Sequence, residues 1–175
     1  MKKLITLICV ALLTGANVYA EAPQAQDQCS YDFPNAKSAL DTKSKDFLSF
    51  KKPVRNNKEK VLTQKAVLKK DKVKITFTTG GCAHYSYSFT FANLKEKDFM
   101  SNVAFSRAIE LLKATPTTTE GQALTKTLSE ALESSAMNKI FRPPNSVYEI
   151  PCGDAQCSLD ASVKGQLTTT YSFAL

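Results

Sequence analysis

The sequence contains little of what most catalytic and metal sites require. Its 175 residues include one histidine, His84, and they contain no Cys-x-x-Cys motif of the redox or zinc-binding type. Cys152 and Cys157 are separated by four residues and have no matching second pair. The dipeptide Gly80-Gly81 lacks the lysine and the strand-to-helix context of a phosphate-binding loop. The sequence therefore predicts no metal, no cofactor and no catalytic constellation.

Long apolar runs are also lacking. The one clear run, Leu4 to Leu13, has about ten residues, whereas a membrane-spanning helix needs about 20. Lys2 and Lys3 precede this run, and Val18-Tyr19-Ala20 follows it with the small residues that signal peptidase requires. This pattern is typical of a bacterial Sec signal. We therefore expect a signal peptide over 1–20, cleavage after Ala20, a periplasmic or secreted location and no membrane span.

Four cysteines follow the predicted signal peptide, and an even number in an oxidising compartment indicates two disulfides. They are Cys29, Cys82, Cys152 and Cys157. Three pairings are possible. The short polar loop between Cys152 and Cys157 favours a local bridge, which would leave Cys29 to pair with Cys82. Because the second bridge would close a much longer loop, we expect it to contribute more, about 4 kcal/mol against about 2 kcal/mol.

Positive charge is concentrated in one stretch of the chain. Residues 37–74 contain 13 lysines and arginines against 4 acidic residues, whereas residues 75–175 contain 8 basic and 9 acidic residues and are nearly neutral. One interpretation is a solvated face that keeps the protein soluble. The other is a site for anions, since the basic residues Lys51, Lys52 and Arg55 interleave with Phe50 and Val54.

A basic site would have a partner of complementary charge. We expect an acidic protein or an anionic envelope component, and no nucleic acid, because export separates the chain from it. Phe47 belongs to the same interleaved segment and would be part of an amphipathic contact surface. The segment equally suits a short helix that packs inward, or a flexible charged loop.

Alternation of apolar and polar residues predicts six strands, three on each side of a helical region. The expected ranges are 61–68, 73–77, 85–91, 147–150, 158–163 and 167–173. Gly80-Gly81 is expected to form a hairpin turn, because glycine adopts positive φ without steric cost.

Two amphipathic helices are predicted between these groups of strands. Pro116 ends the first, whose apolar stripe includes Val103. Thr117 has capping-box spacing at the start of the second, whose stripe includes Ala136. The predicted fold over 21–175 is one disulfide-stapled α+β domain: a meander, a two-helix insertion and a C-terminal meander. These would form an antiparallel sheet of about five or six strands with the helices on one face.

These features favour binding over catalysis. We predict a non-catalytic periplasmic or secreted binding protein, such as an inhibitor or an immunity-type protein that recognises an acidic partner, with His84, Lys51, Lys52 and Arg55 as candidate binding residues. One alternative is a hydrolase of envelope polymers, which would require a concave site at His84. Another is a structural accessory protein of the envelope.

Overall fold

The computed structural model describes residues 35–81, 84–95, 98, 101–137, 147–162 and 165–174. Within these ranges the chain forms one antiparallel sheet of eight strands and two α-helices, which confirms the α+β class. The helices are α1 (Ser101–Ala114) and α2 (Thr119–Met137). The strands are β1 (Phe47–Phe50), β2 (Val54–Asn56), β3 (Val61–Leu68), β4 (Lys74–Gly80), β5 (His84–Ala92), β6 (Val147–Cys152), β7 (Ala155–Ser162) and β8 (Gln166–Ala174).

The last strand returns to the middle of the sheet. Across the sheet the order is β1, β3, β4, β5, β8, β7, β6, and β2 also pairs with β3. The predicted number of five or six strands was too small, because β1 and β2 together form an interrupted edge strand. Residues 47–56 are therefore neither the short helix nor the flexible loop that their composition had left open.

One face of the sheet is buried and the other is polar. Phe77 lies opposite Phe89, and Phe89 lies opposite Thr169, so these residues share a face, on which all three are buried. We call it the covered face, because the helices add buried side chains to the same core. These helical core residues include Ala104, Ala108, Leu112, Leu128 and Leu132. We call the opposite side the open face; its polar residues are typical of an antiparallel sheet covered on one side.

α1 ends before Pro116, as predicted, and the start of α2 requires one correction. The cap is Thr118, whose Oγ1 accepts a hydrogen bond from the Gly121 amide at 3.2 Å. Thr117, the predicted cap, instead forms a β-bridge with Leu40, so the helix starts one residue later. Val103 is 38% exposed. Ala136 is exposed as well, so neither residue belongs to the buried stripe on which it was predicted.

A disulfide joins Cys152 to Cys157, as predicted, with their Cα atoms 5.9 Å apart. It closes the hairpin between β6 and β7, where Gly153 adopts a φ of 73° in the turn. Cys29 and Cys82 lie outside the described residues, as does the segment 1–20. The second disulfide and the signal peptide therefore stay predictions.

Candidate functional site

The predicted basic site lies along one edge of the sheet. β1 pairs with residues 66–68 of β3, and β2 pairs with residues 61–63 of the same strand. Between them, the Lys51 amide donates to the Lys65 carbonyl oxygen at 2.7 Å. Nε2 of Gln64 donates to the Lys51 carbonyl oxygen at 3.2 Å. These bonds fix the backbone of Lys51 against β3, while the Lys51 side chain is exposed.

The three predicted basic residues of this edge differ in their surroundings. Lys51 and Lys52 are both exposed at the connection between β1 and β2. Arg55 is exposed too, but its guanidinium donates a hydrogen bond to the carbonyl oxygen of Ala36. Arg55 therefore ties β2 to the segment that precedes β1, whereas the two lysines extend from the surface.

Three large apolar side chains are exposed on the same edge. Leu48 is 59% exposed, Phe50 49% and Val54 66%, although isolated apolar side chains on a surface need no explanation. In the ranges that the structure describes, only Val103 and Val147 are comparable. Phe50 pairs with Ala66 on the covered side and Val54 pairs with Thr63 on the open face, so the exposed apolar residues surround the edge of the sheet from both sides. We call the group of Leu48, Phe50, Lys51, Lys52 and Val54 the edge patch.

The β-bulge in β1 explains which apolar residues face outward. Phe47 pairs with Leu68, Ser49 pairs with Val67, and the register shifts between them. Phe47 is consequently 6% exposed and part of the core, so its predicted place on the contact surface was wrong. Leu48 is the extra residue of the bulge and is exposed. The sequence pattern gave no sign of Leu48, because a bulge interrupts the alternation on which strand prediction depends.

His84 lies at the first position of β5, on the open face and opposite Ala174. Its side chain is exposed, as predicted for a residue on the polar side of a strand. His84 is not in the wall of any of five cavities formed by the described part of the chain. The described residues also contain no group of three or more His, Cys, Asp or Glu side chains that is arranged to hold a metal ion.

Serine and threonine occupy most of the open face in the central strands. Their hydroxyls bond to one another across strands: Thr90 and Thr168 are 3.1 Å apart, and Thr170 donates to Ser88 at 3.3 Å. Other hydroxyl residues of this face include Thr63, Thr76, Thr78, Ser86, Ser158 and Ser172. A polar, hydrogen-bonded surface of this kind suits contact with water.

A cavity of about 310 Å³ lies at one end of the covered face. The residues that line it include Phe77 of β4, Tyr85 and Tyr87 of β5, and Tyr171 of β8. Tyr85 and Tyr87 are in edge-to-face contact with ring centroids 5.3 Å apart, and Tyr87 and Tyr171 are 6.4 Å apart. We call this cavity the tyrosine cleft. The sequence predicted strands over 85–91 and 167–173, which contain these tyrosines, but it did not predict a cleft.

The strongest charge cluster of the described residues surrounds Arg107 of α1. Its Nη2 donates to Asp71 at 2.9 Å, and its Nη1 donates to Glu110 at 2.6 Å. Nε lies 3.8 Å from Asp98. Burial disfavours the charged guanidinium, but hydrogen bonds with Glu110 and Asp71 outweigh it and raise the pKa of Arg107. Hydrogen bonds from Arg107 and Lys70 hold the pKa of Glu110 below its ordinary value.

This cluster has a structural role. Asp71 belongs to the turn between β3 and β4, Asp98 lies between β5 and α1, and Arg107 joins both to the helix. The five groups that carry the charges are already paired with one another. We therefore assign the cluster to holding α1 in place.

Comparison with known proteins gives no independent guide to function. No family model, no curated protein and no solved structure matches this chain. Of the helices that the structure describes, none has the length and apolar character needed to cross a membrane. The functional argument therefore depends on the surfaces of the molecule itself.

Proposed function

We propose that this is a non-catalytic binding protein that recognises an acidic protein partner through the edge patch. The supporting observation is that three of the five exposed large hydrophobic residues in the described ranges lie between positions 48 and 54, beside Lys51 and Lys52. Exposed apolar side chains bordered by charge are typical of protein–protein contact surfaces. Regions of opposite charge on the partner would be attracted to the two lysines.

A simpler explanation covers part of the patch. Lysines, prolines and bulges on edge strands prevent unwanted pairing with other sheets. Lys51, Lys52, Pro53 and the bulge in β1 all fit that purpose. It does not account for Leu48, because an exposed apolar side chain on an edge strand promotes association instead of preventing it. The apolar residues therefore carry the proposal, and the lysines define the sign of the partner's charge.

The proposed setting is the periplasm or the extracellular medium. The Cys152–Cys157 disulfide fits an oxidising compartment. An inhibitor or an immunity-type protein is the proposed biological class, since both act by occupying a surface of another protein and need no catalytic residues of their own.

The test compares matched variants for capture of one partner from an envelope extract. The double variant Leu48→Ser/Phe50→Ser should lose about tenfold in affinity, because losing two apolar contacts costs at least about 1.4 kcal/mol. Val103→Ser/Val147→Ser removes two exposed apolar side chains outside the patch and is the control. Identification by mass spectrometry then reports whether the captured protein is acidic.

A second pair of variants tests the charge. Lys51→Glu/Lys52→Glu should weaken capture, and the weakening should be larger at about 50 mM salt than at about 500 mM salt because salt screens exposed charges. Lys58→Glu/Lys95→Glu changes the net charge equally at exposed positions outside the patch and should have little effect. Equal capture by all four variants, or a partner that is basic, would exclude the proposal.

A further inference from the structure

We propose that the tyrosine cleft binds one neutral, hydroxyl-bearing ring, namely a sugar residue of the kind found in envelope glycans. The cleft lies on the covered face, whereas the edge patch lies at the outer edge of β3, beyond β4. This inference therefore goes beyond the proposed function and does not depend on it.

The residue types along β5 change where the cleft begins. Phe91 and Phe89 occupy the covered face in the core and are completely buried. Continuing along the same face, the next two positions are Tyr87 and Tyr85, which line the cleft. Tyrosine combines an apolar ring with a polar tip, so it suits a surface that is apolar at its centre and wet at its border. Tyr87 is partly exposed, whereas Tyr85 beyond it is only 2% exposed, so Tyr87 is the residue of β5 at which the covered face reaches the cleft.

The neighbouring strand shows the same transition. On β8, Leu167 and Thr169 are completely buried, and they are followed on that face by Tyr171, which is partly exposed and lines the cleft. Tyr171 lies opposite Tyr87 in the sheet register. Two strands thus present aromatic rings at the same level, and flat apolar walls of this kind suit the C–H faces of a sugar ring.

Small side chains on α2 keep the opposite wall of the cleft open. Gly121 and Ala123 line it from the first turns of the helix, and Leu124 completes the apolar surface. A side chain at Gly121 would meet the carbonyl oxygen of Ala39 at 2.5 Å, so glycine is required there for packing. Ala123, in contrast, is exposed. Its size therefore controls access to the cleft without being needed for the core.

The polar groups of the cleft include both signs of charge. Lys37 supplies a donor and Glu120 an acceptor, and both are exposed at its border. Ser38 and Thr127 add hydroxyls. The Thr127 hydroxyl donates to the Ala123 carbonyl oxygen at 3.1 Å and keeps its capacity to accept, whereas the Ser38 hydroxyl accepts from the Leu40 amide at 3.1 Å and keeps its capacity to donate. This mixture complements the hydroxyl groups of a sugar better than it complements an anion or a cation. A volume of about 310 Å³ lies at the lower end of the range for ligand pockets and suits a single ring.

The expected affinity is low, which determines the assay. A ligand of about 16 heavy atoms at about 0.3 kcal/mol per atom gives a dissociation constant of about 0.3 mM. The chain contains no tryptophan, so tyrosine fluorescence can be read without interference. Methyl N-acetylglucosaminide is the first probe, and a four-sugar chitin oligomer is the second. The two probes distinguish a free sugar from the end of a glycan chain.

The decisive variants introduce the same side chain at two different positions of α2. Ala123→Phe should fill the mouth of the cleft and weaken sugar binding at least about tenfold. Ala136→Phe introduces the same side chain at another exposed position of α2, outside the wall of the cleft, and should leave binding unchanged. Tyr171→Phe should weaken binding less than Ala123→Phe, because it removes one hydroxyl and retains the ring.

The outcomes separate the alternatives. Saturable quenching of tyrosine fluorescence that is lost in Ala123→Phe and retained in Ala136→Phe would support the proposal. Tighter binding of the oligomer identifies a glycan chain as the source, and equal binding identifies a free sugar. Three results would overturn the proposal. They are no response to either sugar, equal weakening of sugar binding in Ala123→Phe and Ala136→Phe, and binding of indole without binding of sugar. Circular dichroism spectra test whether each variant is folded. If Ala123→Phe is unfolded, the weakening of sugar binding in Tyr171→Phe becomes the deciding measurement.

Discussion

Replacing Arg107 by methionine should destabilise the protein strongly. The methionine retains much of the apolar stem of the side chain but removes the guanidinium that contacts three carboxylates. Arg107 and Asp98 are 12% and 13% exposed in their side chains, whereas Asp71 and Glu110 are 52% and 46% exposed. The pair with Asp98 is therefore the shielded part of the cluster, and the other two contacts reach solvent.

The exposed fractions of these side chains determine how much free energy of unfolding the substitution should cost. Removing one member of a buried ion pair costs about 3–5 kcal/mol, and a pair that reaches solvent contributes about 0–1 kcal/mol. Since Asp98 is separated from Nε by 3.8 Å and retains a hydrogen bond from the Lys95 amide, the lower end applies. We expect Arg107→Met to lower the free energy of unfolding by about 3 kcal/mol. Adding Asp98→Asn should recover part of this loss, because it removes the charge left without a cation.

Urea unfolding followed by circular dichroism measures this difference. The control is Lys113→Met, which breaks an exposed pair with Glu133 and should cost less than about 1 kcal/mol.

The effect of Arg107→Met on stability should also depend on pH. The pKa of Glu110 is lowered in the folded protein, so its stabilisation is complete above its ordinary value of 4.5 and is lost as pH falls through the folded value. The difference in free energy of unfolding between wild type and Arg107→Met should therefore become smaller in acid. A difference in free energy of unfolding below about 1 kcal/mol at pH 7, or a difference that does not change with pH, would refute the reasoning.

Three further predictions concern stability. Cys152→Ser/Cys157→Ser should lower the free energy of unfolding by about 2 kcal/mol, since the disulfide closes a short loop, and reductant should lower the melting temperature of wild type but not of this variant. Phe77→Ala should cost about 3–5 kcal/mol in urea unfolding, because Phe77 is completely buried; a cost below about 1 kcal/mol would contradict its place in the core. Gly80→Ala should cost more than about 1 kcal/mol by thermal unfolding, because its φ is 125° and an added Cβ would collide with the Lys60 carbonyl oxygen.

The parts of the fold that were predictable are those with long, regular patterns. β4 and β5 alternate without interruption, and Gly80 and Gly81 both adopt the positive φ that the sequence analysis assigned to them. The end of α1 followed from Pro116, and the start of α2 followed from a run of threonines. That run also explains the error at α2, because Thr117 and Thr118 are equally good caps in isolation. The β-bridge between Thr117 and Leu40, which is distant in sequence, decides between them.

The parts that were not predictable depend on contacts between distant segments. β1 and β2 have four and three residues, too few for alternation to be recognised, and β3 holds both. The same limit applies to Arg107, whose partner Asp71 lies 36 positions away. The tyrosine cleft forms only because β8 pairs with β5 across the helical insertion. Its signal in the sequence was the change from phenylalanine to tyrosine along one strand.

The concentration of positive charge in residues 37–74 does not form one uniform site. Arg55 bonds to the backbone at Ala36, and Lys70 pairs with Glu110, so part of the charge holds the fold together. Lys51 and Lys52 differ because they border exposed apolar residues. Charges at the rim of an interface act mainly on the rate of association, whereas buried apolar contacts act mainly on dissociation. If the edge patch binds an acidic protein, reversing the two lysines should slow association and reduce its salt dependence. Removing the apolar side chains should instead speed dissociation, so kinetics can separate a contact surface from a merely charged one.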